Sequence, residues 1–197
     1  MLIQNKPIRF IHIPKTGGTT VRQTLAKNNI DFLFGGGKGT GGHRPAHFFK
    51  NENSFKFCVV RNPYTRAVSY YNYLKRKHDE RGREFPYDSF ENFIIETLEE
   101  PDTGYKTSGM GFLPSLWIPQ SRYIYDKNKY NECLINKIFK IEDNFNDQFK
   151  KFFGLTEDLE TLHRSTYDDP NKLYTETLRE IIYNNLKVDF DLLGYKK

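Results

Sequence analysis

Two groups of residues in this 197-residue chain have the types and spacing to hold an anion, and each sits where a strand gives way to a helix. The first is Lys15-Thr16-Gly17-Gly18-Thr19-Thr20. Strand-prone Ile8, Phe10, Ile11 and Ile13 precede it, Pro14 breaks the run, and Val21 and Leu25 follow one helical turn apart. Adjacent glycines let the main chain approach a ligand closely, and the first amides of the following helix have no intrahelical partner. Such a loop suits a phosphate-like anion, with Lys15 as a mobile charge and the threonine hydroxyls as further donors. The second group begins at Arg61, after the apolar run Phe55–Val60 that reads as a buried parallel strand. Asn62 is a fitting N-cap and Pro63 a fitting first helical residue, so Arg61 belongs at the carboxyl edge of the sheet, where open α/β folds bind ligands. Thr65 and Ser69 share one face of that helix, and Val68, Tyr71 and Leu74 turn to the core.

The common triphosphate loop, GxxxxGK[ST], has its lysine after the glycines, whereas Lys15 precedes Gly17 and Gly18. PKTGGTT at the end of a first strand instead resembles the 5′-phosphosulfate loop of sulfotransferases that use 3′-phosphoadenosine 5′-phosphosulfate (PAPS). The likeness is to the branch containing heparan sulfate 2-O-sulfotransferase and its bacterial relatives. VRNPYTRAVSYY resembles the 3′-phosphate-binding motif of the same enzymes, with Arg61 and Ser69 at the positions that hold this phosphate. The resemblance runs from Phe10 to Tyr195 and implies a three-layer α/β fold with a mainly parallel sheet and a P-loop-like 5′-phosphosulfate loop.

It further implies that Lys15, Thr16, Gly17, Gly18, Thr19 and Thr20 bind the donor and that Lys15 neutralises the departing phosphate. A histidine upstream of the second core strand is the general base in that family. His43 fits this place better than His47, since it stands at the mouth of a glycine-rich loop, and imidazole titrates in a suitable range. The implied acceptor is a hydroxyl, with a carbohydrate as the favoured class, and the implied product is adenosine 3′,5′-bisphosphate. A sulfuryl group carries less charge than a phosphoryl group, so no metal is expected; Pro45 also separates His43 from His47, and no third ligand is evident. The alternatives are a nucleotide kinase or NTPase, which should carry the triphosphate loop, and a non-catalytic anion or nucleic-acid binding protein.

Thirty Lys and Arg against twenty-five Asp and Glu give a net charge of +5, which points to an anionic partner without naming it. The excess is spread along the chain rather than gathered in a basic run, which disfavours nucleic acid. The first strand begins within ten residues of Met1 and no long apolar run follows, so the expectation is a cytoplasmic protein without signal peptide or membrane span. Length and the lack of a linker suggest one domain over residues 1–197. Cys58, inside an apolar strand, reads as a buried free thiol.

The elements between the motifs read as follows. Asp31 to Gly42, with six glycines from Gly35 on, reads as a mobile surface loop. Arg66 reads as a solvated helical residue or a minor phosphate contact. Asp88 and Glu91 form a capping-box pair before an amphipathic helix. Pro101 to Pro119, with Tyr105, Lys106, Met110, Phe112 and Trp117, reads as a substrate-facing lid. Pro119-Gln120-Ser121 resembles a segment near the cleft of bacterial relatives. Residues 137–142 form a third core strand, a Phe stripe from Phe145 to Phe153 a packing helix, and Pro170 opens the last helix. His163, Arg164 and Ser165 precede that helix, with a donor contact as one possible role.

Overall fold

The computed structural model describes residues 2–3, 5–35, 42–99, 116–126, 129–159 and 170–197. In chain order these form β1 (Leu2–Ile3), β2 (Lys6–Ile11), α1 (Gly18–Lys27), β3 (Leu33–Phe34), β4 (Phe55–Val60), α2 (Pro63–Asp79), α3 (Phe90–Glu99), α4 (Ser121–Ile124), β5 (Tyr125–Asp126), β6 (Lys129–Cys133), β7 (Lys137–Lys140), α5 (Phe145–Phe153) and α6 (Glu176–Leu193). Short 3₁₀ turns cover Ala46–Phe49 and Pro170–Leu173. Two compact units result, Met1–Arg61 with Gln120–His163, and Asn62–Pro119 with Arg164–Lys197.

The first unit is a mainly parallel sheet. Strands β3, β2, β4 and β7 run parallel in that order, and β1 adds an antiparallel pair at the start of β2. Strand alternation turns Ile8, Phe10, Phe55, Phe57, Val59 and Phe139 to one face, where Val21 and Leu25 of α1 and Phe149 and Phe153 of α5 cover them. The Phe stripe is packing, as its spacing predicts, with Phe149 and Phe153 fully inside. Cys58 points to the other face, buried and free, and burial pushes its thiol pKa up. From β2 the chain crosses to β3 on one side, and from β4 to β7 on the other, so the connections diverge between β2 and β4. The carboxyl ends of those two strands flank this topological switch point.

Glycine-rich residues 36–41 lie outside the described residues, but the ends of that segment are not surface loop. Gly35 and Gly42 are buried against the rings of Phe49 and Phe34, and β3 pairs with β2 just ahead of Gly35. Aromatic packing at both ends overrides the expectation from composition.

The second unit packs α2, α3 and α6 round Tyr64, Val68, Phe93, Ile94, Ile182 and Phe190. Asn62 caps α2 as expected, its Oδ1 accepting the Tyr64 N–H at 2.9 Å, with Pro63 in the first turn. Three details differ from expectation. Ser89, not Asp88, supplies the start of α3, its hydroxyl accepting the Asn92 N–H at 3.0 Å. Pro170 opens only a 3₁₀ turn; Thr175 caps α6 by accepting the Leu178 N–H. Arg66 is not solvated: it is fully buried and its guanidinium donates to the carbonyls of Leu116 and Ile118. Of the lid segment only residues 116–119 are described, and there Leu116 is core and Trp117 packs against it. Tyr105, Lys106, Met110 and Phe112 lie outside the described residues, as do His163, Arg164 and Ser165.

Candidate active site

The loop from β2 to α1 is built by two glycines with different tasks. Gly17 adopts φ 77°, the left-handed backbone that starts α1, and a Cβ there would meet nothing closer than Ile141 at 3.6 Å. Gly18 has ordinary φ, but a Cβ on it would lie 1.9 Å from Nε2 of His12. The loop folds on itself through Thr16, which is wholly buried and donates its hydroxyl to the Ile13 carbonyl at 2.9 Å. Contact of Thr16 with a ligand would therefore run through its main chain. Gly17 at the N-cap has no side chain with which to cap α1, and the first turn holds no acid, so the helix dipole and the first amides favour an anion there. Thr19 is exposed and Thr20 partly so. Lys15, half-buried, stands at φ 67°, a conformation that costs an L-residue roughly 1 kcal/mol. Strain of this kind clusters at ligand-binding loops, which makes Lys15 a candidate functional position.

His43 joins this loop. Its Nδ1 lies 3.1 Å from the His12 carbonyl oxygen. A carbonyl only accepts, so Nδ1 carries a proton, and when the ring is neutral its lone pair falls on Nε2, the form a general base requires. The two imidazole rings are tilted at 45° with centroids 4.2 Å apart. The His12 ring also stacks on Phe10 and lies beside Phe34, and among the described residues its buried Nδ1 has no hydrogen-bond partner. Burial first, then the neighbouring His43, Arg22 and Lys15, hold His12 neutral well below the ordinary histidine range. His47 sits in the following 3₁₀ turn with its ring against Phe48.

Arg61 follows β4, the strand beside β2, so it emerges at the same edge of the sheet as the Lys15 loop. Its main chain is clasped by a side chain fifty-nine residues away: Gln120 Oε1 accepts the Arg61 N–H at 2.9 Å, and Gln120 Nε2 donates to the Arg61 carbonyl at 2.7 Å. Gln120 is fully buried. Ser69 lies eight residues beyond Arg61, in the second turn of α2 in the other unit, and is 8% exposed. Of the expected site residues, the first unit thus gathers Lys15 to Thr20, His43 and Arg61 at one sheet edge.

A sequence model described as the sulfotransferase family matches residues 2–196. The chain belongs to the sulfotransferase family. Among curated proteins no sequence matches it. As a sulfotransferase it is a transferase that moves a sulfuryl group, and the mainly parallel sheet with its helices agrees with that fold. Among the described residues there is no cluster of three metal-ligating side chains, and no helix is long and apolar enough to cross a membrane. Two residues of the candidate site lie outside the two motifs. His12 is foreshadowed by its place two residues past Phe10, on the core-facing side of the strand's end. Gln120 is foreshadowed only by the Pro-Gln-Ser likeness, since its bonds to Arg61 span too much sequence for spacing to reveal.

Proposed function

We propose that this sulfotransferase uses PAPS as donor and a hydroxyl acceptor, with a carbohydrate as the favoured class. One observation carries the reading: the strained Lys15 loop and Arg61 leave adjacent parallel strands at the topological switch point, with His43 bonded to the base of that loop. The residues fit the donor. The uncapped start of α1 and Lys15 suit a 5′-phosphosulfate, and the Arg61 fork suits a 3′-phosphate, for which the family motif adds Ser69.

Bound there, PAPS supplies an activated sulfuryl group. Lys15 and the amides of Gly17 to Thr20 present positive charge where negative charge gathers on the leaving side, a form of preorganised electrostatic stabilisation. The hydroxyls of Thr19 and Thr20 add donors at the same place. His43, with its proton fixed on Nδ1, takes the acceptor's hydroxyl proton at Nε2. The net charge of +5 favours an acidic over a neutral acceptor at first encounter. The test is transfer of label from ³⁵S-PAPS to a panel of glycans. Labelled glycan formed by the native protein and lost in His43→Ala supports the proposal; magnesium-dependent ATP turnover without sulfuryl transfer would overturn it.

A further inference from the structure

The mechanism just given leaves one buried titratable ring without a task. His12 stands between the two halves of the site: its Nε2 fills the space a Cβ on Gly18 would take, and its ring lies 4.2 Å from that of His43. Phe10 and Phe34 close two further sides, at 5.5 and 5.8 Å between centroids. The ring therefore has little room to turn, and the peptide it belongs to is held with it. That peptide's carbonyl is the acceptor for His43 Nδ1–H. Among the described residues its buried Nδ1 has no partner, and a polar atom left so costs about 1–3 kcal/mol, so the ring is retained here at some expense to stability.

We propose that His12 is a positioning residue: its packed ring fixes the carbonyl that keeps His43 in the Nδ1–H tautomer, and so ties the base to the first turn of α1. This rests on the reading of His43 as base. Among the described residues, Lys15 from the loop, Arg22 from α1 and the titratable His43 act on the His12 ring, and all three favour its neutral form. A neutral ring in fixed van der Waals contact acts through shape. Loss of that contact frees the carbonyl to turn and removes the cause that holds the His43 proton on Nδ1.

The experiment is long-range ¹H–¹⁵N spectroscopy of histidine-labelled protein near neutral pH, on the native chain, His12→Ala, His12→Phe and Gly18→Ala. The native chain and His12→Phe, which keeps the ring's bulk, should show His43 as the Nδ1–H tautomer. His12→Ala should shift His43 toward Nε2–H, with kcat falling about tenfold to a hundredfold and donor affinity unchanged. Gly18→Ala, which pushes the ring aside without removing it, gives a second route to the same shift should His12→Ala not fold. A His43 tautomer unmoved in both, or one lost equally in His12→Phe, would overturn the proposal. The tautomer is read without turnover; a shift as expected with undiminished sulfuryl transfer would uphold the role of His12 and remove His43 from the chemistry.

Discussion

Lys15 carries both charge and backbone strain, and substitution separates the two. Lys15→Ala should lower turnover by on the order of 10²–10³ while the chain stays folded, as expected for removal of one preorganised electrostatic contact. Lys15→Gly should lose as much activity yet gain roughly 1 kcal/mol in urea unfolding, because glycine takes φ 67° without strain. Equal stability of the two variants would count against the strain. His12 sets a pH signature. Folded, it stays neutral below its ordinary pKa of 6.5, whereas the unfolded chain takes up the proton. Its contribution to stability is therefore complete above about pH 6.5 and declines as pH falls below that value, by at most about 1.4 kcal/mol per unit. His12→Phe should flatten the pH dependence of unfolding between pH 5 and 6.5; an unchanged slope would show that the ring titrates normally. At this scale the sequence reveals that two glycines are needed but not why each is. The demand on Gly17 is local, a backbone angle, whereas the demand on Gly18 comes from a ring six residues earlier that spacing alone cannot place.

Among the elements, what is encoded locally is legible. Asn62-Pro63 reads correctly as the start of α2 because cap and first-turn chemistry involve neighbours two residues apart. Pro170 misleads because Thr175, five residues on, is the better cap and takes the helix start. Arg66 misleads because helical spacing shows only that it leaves the Val68 face, not that the carbonyls of Leu116 and Ile118 wait for it in the core. The clasp of Gln120 on Arg61 belongs here too, since it holds both main-chain polar groups of Arg61 where β4 ends. Gln120→Ala leaves one N–H and one C=O without their partner and should destabilise the chain by about 1–3 kcal/mol. It should also weaken binding of adenosine 3′,5′-bisphosphate several-fold, though Gln120 need never touch the nucleotide. Calorimetry showing native affinity in a destabilised Gln120→Ala protein would mean that the clasp supports the strand and not the site.

For the molecule as a whole, the parallel order β3-β2-β4-β7 is what turns two separate motifs into one edge. The sequence predicts each strand-to-helix junction, but the adjacency of β2 and β4 is a pairing across forty-odd residues and becomes visible only in the register of Ile11 with Cys58. The single-domain reading of the sequence predicts one cooperative thermal transition; two separate transitions would contradict it. The net charge of +5 predicts that the apparent affinity for an acidic glycan acceptor falls as salt rises from 50 to 300 mM, measured as KM, roughly as screening shortens. The central claim is that one adenine nucleotide is held by the Lys15 loop at one phosphate and by Arg61 at the other. Calorimetric titration with adenosine 3′,5′-bisphosphate tests it most directly. The native chain should bind, and Lys15→Ala and Arg61→Ala should each weaken binding tenfold or more; native affinity in both folded variants would contradict the account.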